Sequence, residues 1–115
     1  MEYLLLIYAS EKAEQAMGQQ AMGEMIHAFG AYTAMLRDKG VLVGSNRLQA
    51  VDTAASVRTH EGKTNVLNGP FAETREQLGG YYLIDVPDMA TAKDYAAKCP
   101  GAAVGTIEVR PVWPM

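Results

Sequence analysis

The first strand of this chain constrains its fold most, because its apolar side chains occupy both faces. Residues 3–8, YLLLIY, alternate between the two faces of a strand, and all six are apolar or aromatic. Residues 81–86, YYLIDV, form a second strand that is nearly as apolar. A sheet built from such strands must be covered on both faces, since exposed apolar surface is unfavourable in water.

The chain offers only two long helices to provide that cover. The first is predicted by apolar residues at three- and four-residue intervals, and it ends at Gly40. The second follows Asp88, a good N-cap, and ends at Pro100 and Gly101. Residues 11–18 are predicted to form a separate short helix, because glycine weakens helical continuity. The stripe of the first helix comprises Met22, Met25, Ile26, Phe29, Tyr32, Thr33 and Leu36.

The order of predicted elements is β-α-β, a hairpin, and then β-α-β. The hairpin is predicted in ASVRTHEGKTNVLNG, where Glu61, Gly62 and Lys63 form the turn. This order predicts one α+β domain over residues 1–115, a ferredoxin-like βαββαβ sandwich with an inserted β-hairpin. Two helices cover one sheet face, so we predict a homodimer whose sheets pack face to face as an α/β barrel. The alternative is a monomer whose loops cover that face.

Charge and composition disfavour several classes of partner. The net charge is −3 and the basic residues are scattered, which disfavours nucleic-acid binding. The apolar stretch 3–9 is too short to span a membrane, and Glu2 stands where a signal peptide carries a basic flank, so we predict a cytoplasmic protein. Cys99 is the only cysteine and is interpreted as a small apolar helix residue. We predict no metal site and no cofactor.

Four segments together resemble a known family. LLIYAS, GVLVGSNRLQ, NGPFAETREQLGGYYLIDV and GTIEVRPVW are similar to the YCII-related family, in its DGPF branch. The resemblance implies a dimeric α/β barrel, a bacterial cytoplasmic setting and frequent association with extracytoplasmic-function sigma factors, without an assigned reaction. This chain has Asn68 where the family motif has Asp, and no His between Ser10 and Gln20. The His-Asp pair proposed for the YciI-like branch is therefore not carried over.

The segment NGPFAETREQLGG, residues 68–80, has two interpretations. In the structural one, residues 68–70 form a turn, Phe71 anchors the segment in the core, the charged residues are solvated, and Gly79-Gly80 marks a bulge or a close backbone approach. In the functional one, four residues of the segment rim a cleft at the dimer centre and offer hydrogen bonds to a small ligand. These four candidates are Asn68, Glu73, Thr74 and Glu76.

Strand alternation supplies further candidates. If Ile107 and Val109 face the helices, Glu108 and Arg110 point toward the dimer barrel, where they form a salt bridge or hold a ligand as base and anion holder. Tyr81 and Asp85 share a face of their strand, and Tyr8 ends the first strand. The candidates selected from these two strands are Tyr8, Tyr82 and Asp85. His27 and His60 are predicted to be exposed rather than catalytic.

Three classes of function fit these features. The first is a protein that binds a small polar ligand in a cleft at the dimer interface, with lyase- or isomerase-like chemistry as its catalytic form. The second is a non-catalytic interaction or regulatory module associated with sigma-factor signalling. The third is a purely structural dimer. A polar-lined cavity favours the first class, whereas a filled barrel fits the other two.

Overall fold

The computed structural model describes residues 1–115 and contains six strands and three α-helices. The two short 3₁₀ turns are Val51–Thr53 and Pro100–Ala103. The strands are β1 (Glu2–Ala9), β2 (Leu42–Arg47), β3 (Ala55–His60), β4 (Lys63–Asn68), β5 (Gln77–Asp85) and β6 (Thr106–Pro111), and the helices are α1 (Glu11–Gln15), α2 (Gln19–Asp38) and α3 (Met89–Lys98).

Four of the strands form one antiparallel sheet in the order β2-β5-β1-β6. The central strands β1 and β5 are the two that the sequence marks as most apolar, which is expected because a central strand has a neighbour on each side. The ferredoxin-like α+β fold is confirmed. The inserted hairpin is also confirmed, as β3 and β4 pair only with each other and form a separate two-stranded ribbon.

The core lies between the helices and one face of this sheet. Leu5, Leu36 and Ile84 are completely buried there. Tyr32 of α2 packs edge-on against Tyr82 of β5, with ring centroids 5.2 Å apart. The remaining buried side chains of this cluster are Tyr3, Val86, Ala92, Ala96 and Cys99. Burial raises the pKa of the Cys99 thiol, which agrees with its interpretation as an apolar residue.

The opposite face of the four-stranded sheet carries no layer of helices. We call it the open face. Alternation along the strands places a block of apolar side chains on the central strands β1 and β5, and polar ones on the edge strand β6. Leu4 lies opposite Leu83, and Leu6 lies opposite Tyr81, all four being only half-buried. The open face includes Leu4, Leu6, Tyr8, Asn46, Tyr81, Leu83, Asp85, Thr106, Glu108 and Arg110.

Local signals in the sequence predicted the separate short helix and the cap of α3, and they placed the helix ends to within about three residues. The short helix α1 is separate from α2, and Gly18 is the N-cap of α2. The Asp88 side chain accepts a hydrogen bond from the Thr91 backbone N–H (2.8 Å), as an N-cap does. The ribbon turn places Glu61 and Gly62 at positive φ, the geometry of a tight hairpin.

Gly79 and Gly80 serve the two purposes that the sequence suggested. The register between β1 and β5 shifts after Ile7, so that Gly79 is the extra residue of a bulge. A Cβ on Gly80 would lie 2.9 Å from the backbone oxygen of Asn46, so β2 approaches this residue too closely for a side chain. The pairing resumes beyond the bulge, where Tyr8 lies opposite Leu78 and Ala9 opposite Gln77 at the start of β5.

Phe71 is a correction to the sequence interpretation. Its side chain is 80% exposed and does not anchor the loop in the core. The buried residue of this turn is Gly69, which has φ of 108° and whose N–H donates to the carbonyl oxygen of Ala54 (2.6 Å). Backbone hydrogen bonding, rather than an aromatic anchor, holds the start of the loop.

No helix in the chain has the length and apolar character needed to cross a membrane.

Candidate functional site

A polar groove lies where β1 runs into α1. It has a volume of about 960 Å³ and is formed by three separate stretches of the chain, around residues 10–15, residue 51 and residues 74–77. Eight of its nine lining residues are polar or charged. These nine residues are Ser10, Glu11, Lys12, Gln15, Val51, Thr74, Arg75, Glu76 and Gln77.

Glu11 connects the three stretches that form the groove. Its backbone N–H donates to Oε1 of Gln77 (2.9 Å), which joins the start of α1 to the start of β5. Its carboxylate Oε2 accepts from the backbone N–H of Val51 (3.0 Å), which adds the segment after β2. Because hydrogen bonds to a charged group are stronger than neutral ones, this residue fixes the shape of the groove.

The loop before β5 is held by its own side chains. The Thr74 hydroxyl donates to the carbonyl oxygen of Glu76, and Nε2 of Gln77 donates to the carbonyl oxygen of Thr74. The Glu76 carboxylate in turn accepts through Oε1 from the Thr106 hydroxyl at the start of β6 (2.9 Å). This bond holds the Glu76 carboxylate against the edge of the sheet, while its second oxygen accepts no hydrogen bond from the protein.

The acidic side chains of the groove have hydrogen-bond partners, but its basic side chains do not form ion pairs. Glu11 and Glu76 each accept a hydrogen bond, whereas Lys12 and Arg75 form no ion pair. Two free cations therefore stand beside two positioned carboxylates. Such an arrangement suits a ligand that carries an anionic group and a proton or hydroxyl to donate.

The groove adjoins the open face at Tyr8. Tyr8 pairs with Thr106 in the β1–β6 register and with Leu78 in the β1–β5 register. Since Thr106 also binds Glu76, the tyrosine lies beside the carboxylate end of the groove. Three of the candidates selected from the sequence, Tyr8, Thr74 and Glu76, are therefore brought to one region of the molecule.

Glu108 and Arg110 lie on the open face, as strand alternation predicted. Ile107 and Val109 pack against the core on the other face. Nε of Arg110 lies 2.6 Å from Oε2 of Glu108, so the two charges form a salt bridge within the subunit. The side chain of Arg110 is 69% exposed and that of Glu108 is 42% exposed. A salt bridge in contact with water contributes little to the free energy of unfolding.

Asp85 lies at the other end of the open face. Its carboxylate binds the amino group of Met1 (2.8 Å), and its side chain is 61% exposed. Along β5 it is seven residues from Leu78, which corresponds to roughly 23 Å at about 3.3 Å per residue. Asp85 and Glu76 therefore belong to different regions of the molecule.

Tyr82 is a correction to the candidate set, because it does not lie on the open face. It is 5% exposed and lies under the helices, where its hydroxyl is 2.7 Å from that of Thr33. Thr33 donates its proton to the carbonyl oxygen of Phe29 (2.9 Å), so Tyr82 is the donor of the pair. Burial raises the pKa of Tyr82, while the bond to Thr33 lowers it.

Asn68 and Glu73 lie outside the groove. Asn68 is the last residue of β4 and pairs with Ala55 at the base of the ribbon. Glu73 is exposed in the loop that follows and makes no hydrogen bond through its side chain. The 68–76 segment is therefore divided, and only its second half, from Thr74 onward, lines the groove.

Sequence reasoning missed most of the groove. The residues around Ser10 and Glu11 carried a local signal, since Ser10 is an N-cap and Glu11 a favourable first-turn acid, but this signal indicates a helix start and not a site. The contacts of Glu11 with Gln77 and Val51 bridge 66 and 40 residues of chain. No cluster of three or more His, Cys, Asp or Glu side chains is placed to hold a metal ion.

Comparison with known proteins decides the family. The model of the YCII-related domain matches residues 1–115, which is the whole chain. The chain belongs to the YCII-related family. It is also 35% identical over 114 residues to an uncharacterized protein of Rhizobium meliloti (strain 1021), a match covering 97% of this chain and 92% of that protein. Membership in the YCII-related family therefore defines the domain without defining a reaction.

Proposed function

We propose that this YCII-related protein binds a small polar ligand bearing an anionic group in the groove around Glu76, and that a second copy of the chain closes the groove. The supporting observation is the groove's lining, in which the unpaired Lys12 and Arg75 stand beside the positioned Glu11 and Glu76. Most pockets of this volume that bind small molecules are lined mainly by apolar residues. In this groove eight of the nine lining residues are polar or charged, which favours a polar ligand.

Each charged residue has a distinct role in this proposal. Arg75 and Lys12 bind the anionic group, with the planar guanidinium of Arg75 suited to a bidentate carboxylate or phosphate. Glu76 accepts a hydrogen bond from the ligand through its free oxygen. In a lyase- or isomerase-like reaction, the same oxygen would accept the proton, since a general base must lie within hydrogen-bond reach of the proton it removes.

A second copy is needed because the groove is open to solvent and adjoins an uncovered apolar face. The accessible surface of the chain is 8244 Å², whereas a folded monomer of its mass exposes about 6,100 Å². Apolar side chains at the centre of the open face, such as Leu6 and Leu83, are only half-buried in a single subunit. Packing two open faces together would bury these residues and place a wall beside Tyr8 and Glu76.

Thermal unfolding in the presence of small anions tests ligand binding. Inorganic phosphate, malate and succinate serve as probes, and a ligand at 100 times its dissociation constant stabilises the folded state by about 2.7 kcal/mol. We expect at least one probe to raise the melting temperature of the wild type, and Arg75→Gln and Lys12→Gln to reduce that rise. Arg58→Gln, which removes a cation outside the groove, is the matched control. Equal responses from all three variants would contradict the assignment.

The carboxylates offer a second matched pair. Glu76→Gln should weaken the binding of a probe whose hydroxyl or proton contacts Glu76, whereas Glu73→Gln should bind like the wild type. Both substitutions remove one charge from the same loop, so a general electrostatic effect would appear in both. If a probe binds but Glu76→Gln binds it like the wild type, the role of Glu76 is refuted. If no small anion stabilises the wild type, the proposal as a whole is refuted and the non-catalytic regulatory alternative is favoured.

A further inference from the structure

The β3–β4 ribbon extends from the body of the molecule. It makes no substantial contact with any other helix or strand, and every residue of β4 is exposed. Val57 and Val66, which lie opposite each other across the ribbon, are 64% and 63% exposed. An isolated two-stranded ribbon is at best marginally stable in water. This ribbon therefore needs cover that its own subunit does not provide.

The register of the ribbon gives it two different faces. One carries no charge and has the Val57–Val66 pair at its centre, next to Thr59 and Thr64, whose hydroxyls are 2.9 Å apart. The opposite face is basic. The uncharged face comprises Ala55, Val57, Thr59, Thr64, Val66 and Asn68, and the basic face comprises Ser56, Arg58, His60, Lys63, Asn65 and Leu67.

The accessible surface of the chain exceeds that of a compact monomer of the same mass, and the open face alone is too small to explain the excess. The excess over a compact monomer of 12.4 kDa is about 2,100 Å². Four strands about 4.8 Å apart, with six to nine residues each, make a planar area of only about 460 Å². A standard interface buries about 800 Å² per partner, and obligate dimers bury more. A stable dimer through the open face thus needs further surface next to it.

The shape of the molecule makes the ribbon available to the same partner. The extents are 46 × 43 × 18 Å, and the shortest accommodates only the sheet and its helix layer. A ribbon of six residue pairs is roughly 20 Å long, so one standing perpendicular to the sheet would exceed this thickness. The ribbon is therefore inclined toward the plane of the slab. A second copy that covers the broad open face can also lie along the ribbon.

We propose that the β3–β4 ribbon is a dimerisation arm that packs its uncharged face, centred on Val57 and Val66, against a second copy of the chain. The basic face remains toward solvent. This inference rests on the self-association included in the proposed function and is independent of ligand binding. The occupant is a second copy because the uncharged face adds interface area to an open face that is too small to hold a stable dimer alone, and because both surfaces belong to one thin slab.

Neighbouring residues on opposite faces of β4 provide the test. Val66 and Leu67 are both exposed and apolar, but only Val66 belongs to the uncharged face. Val66→Lys should raise the dimer dissociation constant at least tenfold in sedimentation equilibrium, whereas Leu67→Lys should stay within threefold of the wild type. Equal effects of the two substitutions, or no effect of Val66→Lys, would overturn the arm.

Hydrogen exchange provides a readout that requires no substitution. Backbone amides of β3 and β4 in the wild type should be protected at concentrations where the dimer forms and should exchange at least tenfold faster after dilution to monomer. Protection that does not change with concentration would contradict the arm.

Leu6→Lys on the open face separates the two proposals. If Leu6→Lys dissociates the dimer but Val66→Lys does not, the arm fails and the closed groove survives. If both dissociate it but no anion binds the wild type, the ligand proposal fails alone.

Discussion

Tyr81 and Tyr82 are neighbours in β5, but their side chains lie on opposite faces of the sheet. The Tyr81 hydroxyl accepts a hydrogen bond from Nδ2 of Asn46 (2.8 Å) on the open face, whereas Tyr82 is enclosed by the core. Because side chains alternate with a period of two, a shift of one residue in a candidate exchanges a surface group for a core group. Tyr81, which shares the face of Asp85, has the position that a cavity-lining tyrosine requires.

Tyr82→Phe tests this placement. The variant loses one hydrogen bond, but Thr33 keeps its bond to Phe29, so no buried hydroxyl is left unsatisfied. We expect a loss of about 1 kcal/mol in the free energy of unfolding, measured with urea, and no change in dimerisation or anion binding. If Tyr82→Phe weakened anion binding without lowering the free energy of unfolding, Tyr82 would belong to the ligand site and not only to the core.

Phe71→Ala tests the corrected position of the loop. An aromatic ring in the core would contribute about 3–5 kcal/mol, but the Phe71 side chain is 80% exposed. We therefore expect a change in the free energy of unfolding of no more than about 0.5 kcal/mol, measured at one low protein concentration. A loss of several kcal/mol would show that the ring is buried in solution.

At the scale of elements, local signals predicted most of the fold. Strand alternation, the Gly18 and Gly40 boundaries and the Asp88 cap are encoded within a few residues, so the elements and their order could be read from the sequence. The groove could not, because it depends on contacts such as Glu11 with Val51 and Glu76 with Thr106 that join distant parts of the chain. Thr74 and Glu76 were found only because their whole loop was selected.

Asp88→Ala tests the N-cap of α3. Hydrogen bonds from the Thr91 side chain and backbone lower the pKa of Asp88, so the stabilising contribution is present above the carboxyl's unfolded pKa and is lost as pH falls through the folded one. We expect a melting temperature a few degrees below the wild type at pH 7, and a smaller difference near pH 3. Calorimetry at both values checks this. A difference that is equal at both pH values would contradict the cap's dependence on charge.

At the scale of the whole molecule, the single subunit is unusually open. Its radius of gyration is 16.1 Å, against about 13 Å for a compact domain of this length, and only 13 of its 115 residues are buried. The core lies on one side of the sheet, while the open face, the ribbon and the groove share the remaining surface. This openness is what we expect of a subunit in the proposed dimer, and it supports that proposal.

Sedimentation of the wild type and of Leu6→Lys at micromolar concentration tests the central claim most directly. Leu6 lies at the middle of the open face, opposite Tyr81 and Glu108, so a lysine there would place a charge within the proposed interface. We predict that the wild type sediments with twice the 12.4 kDa mass of the chain and that Leu6→Lys sediments as a folded monomer. A wild type that remains at 12.4 kDa throughout this range would contradict the account.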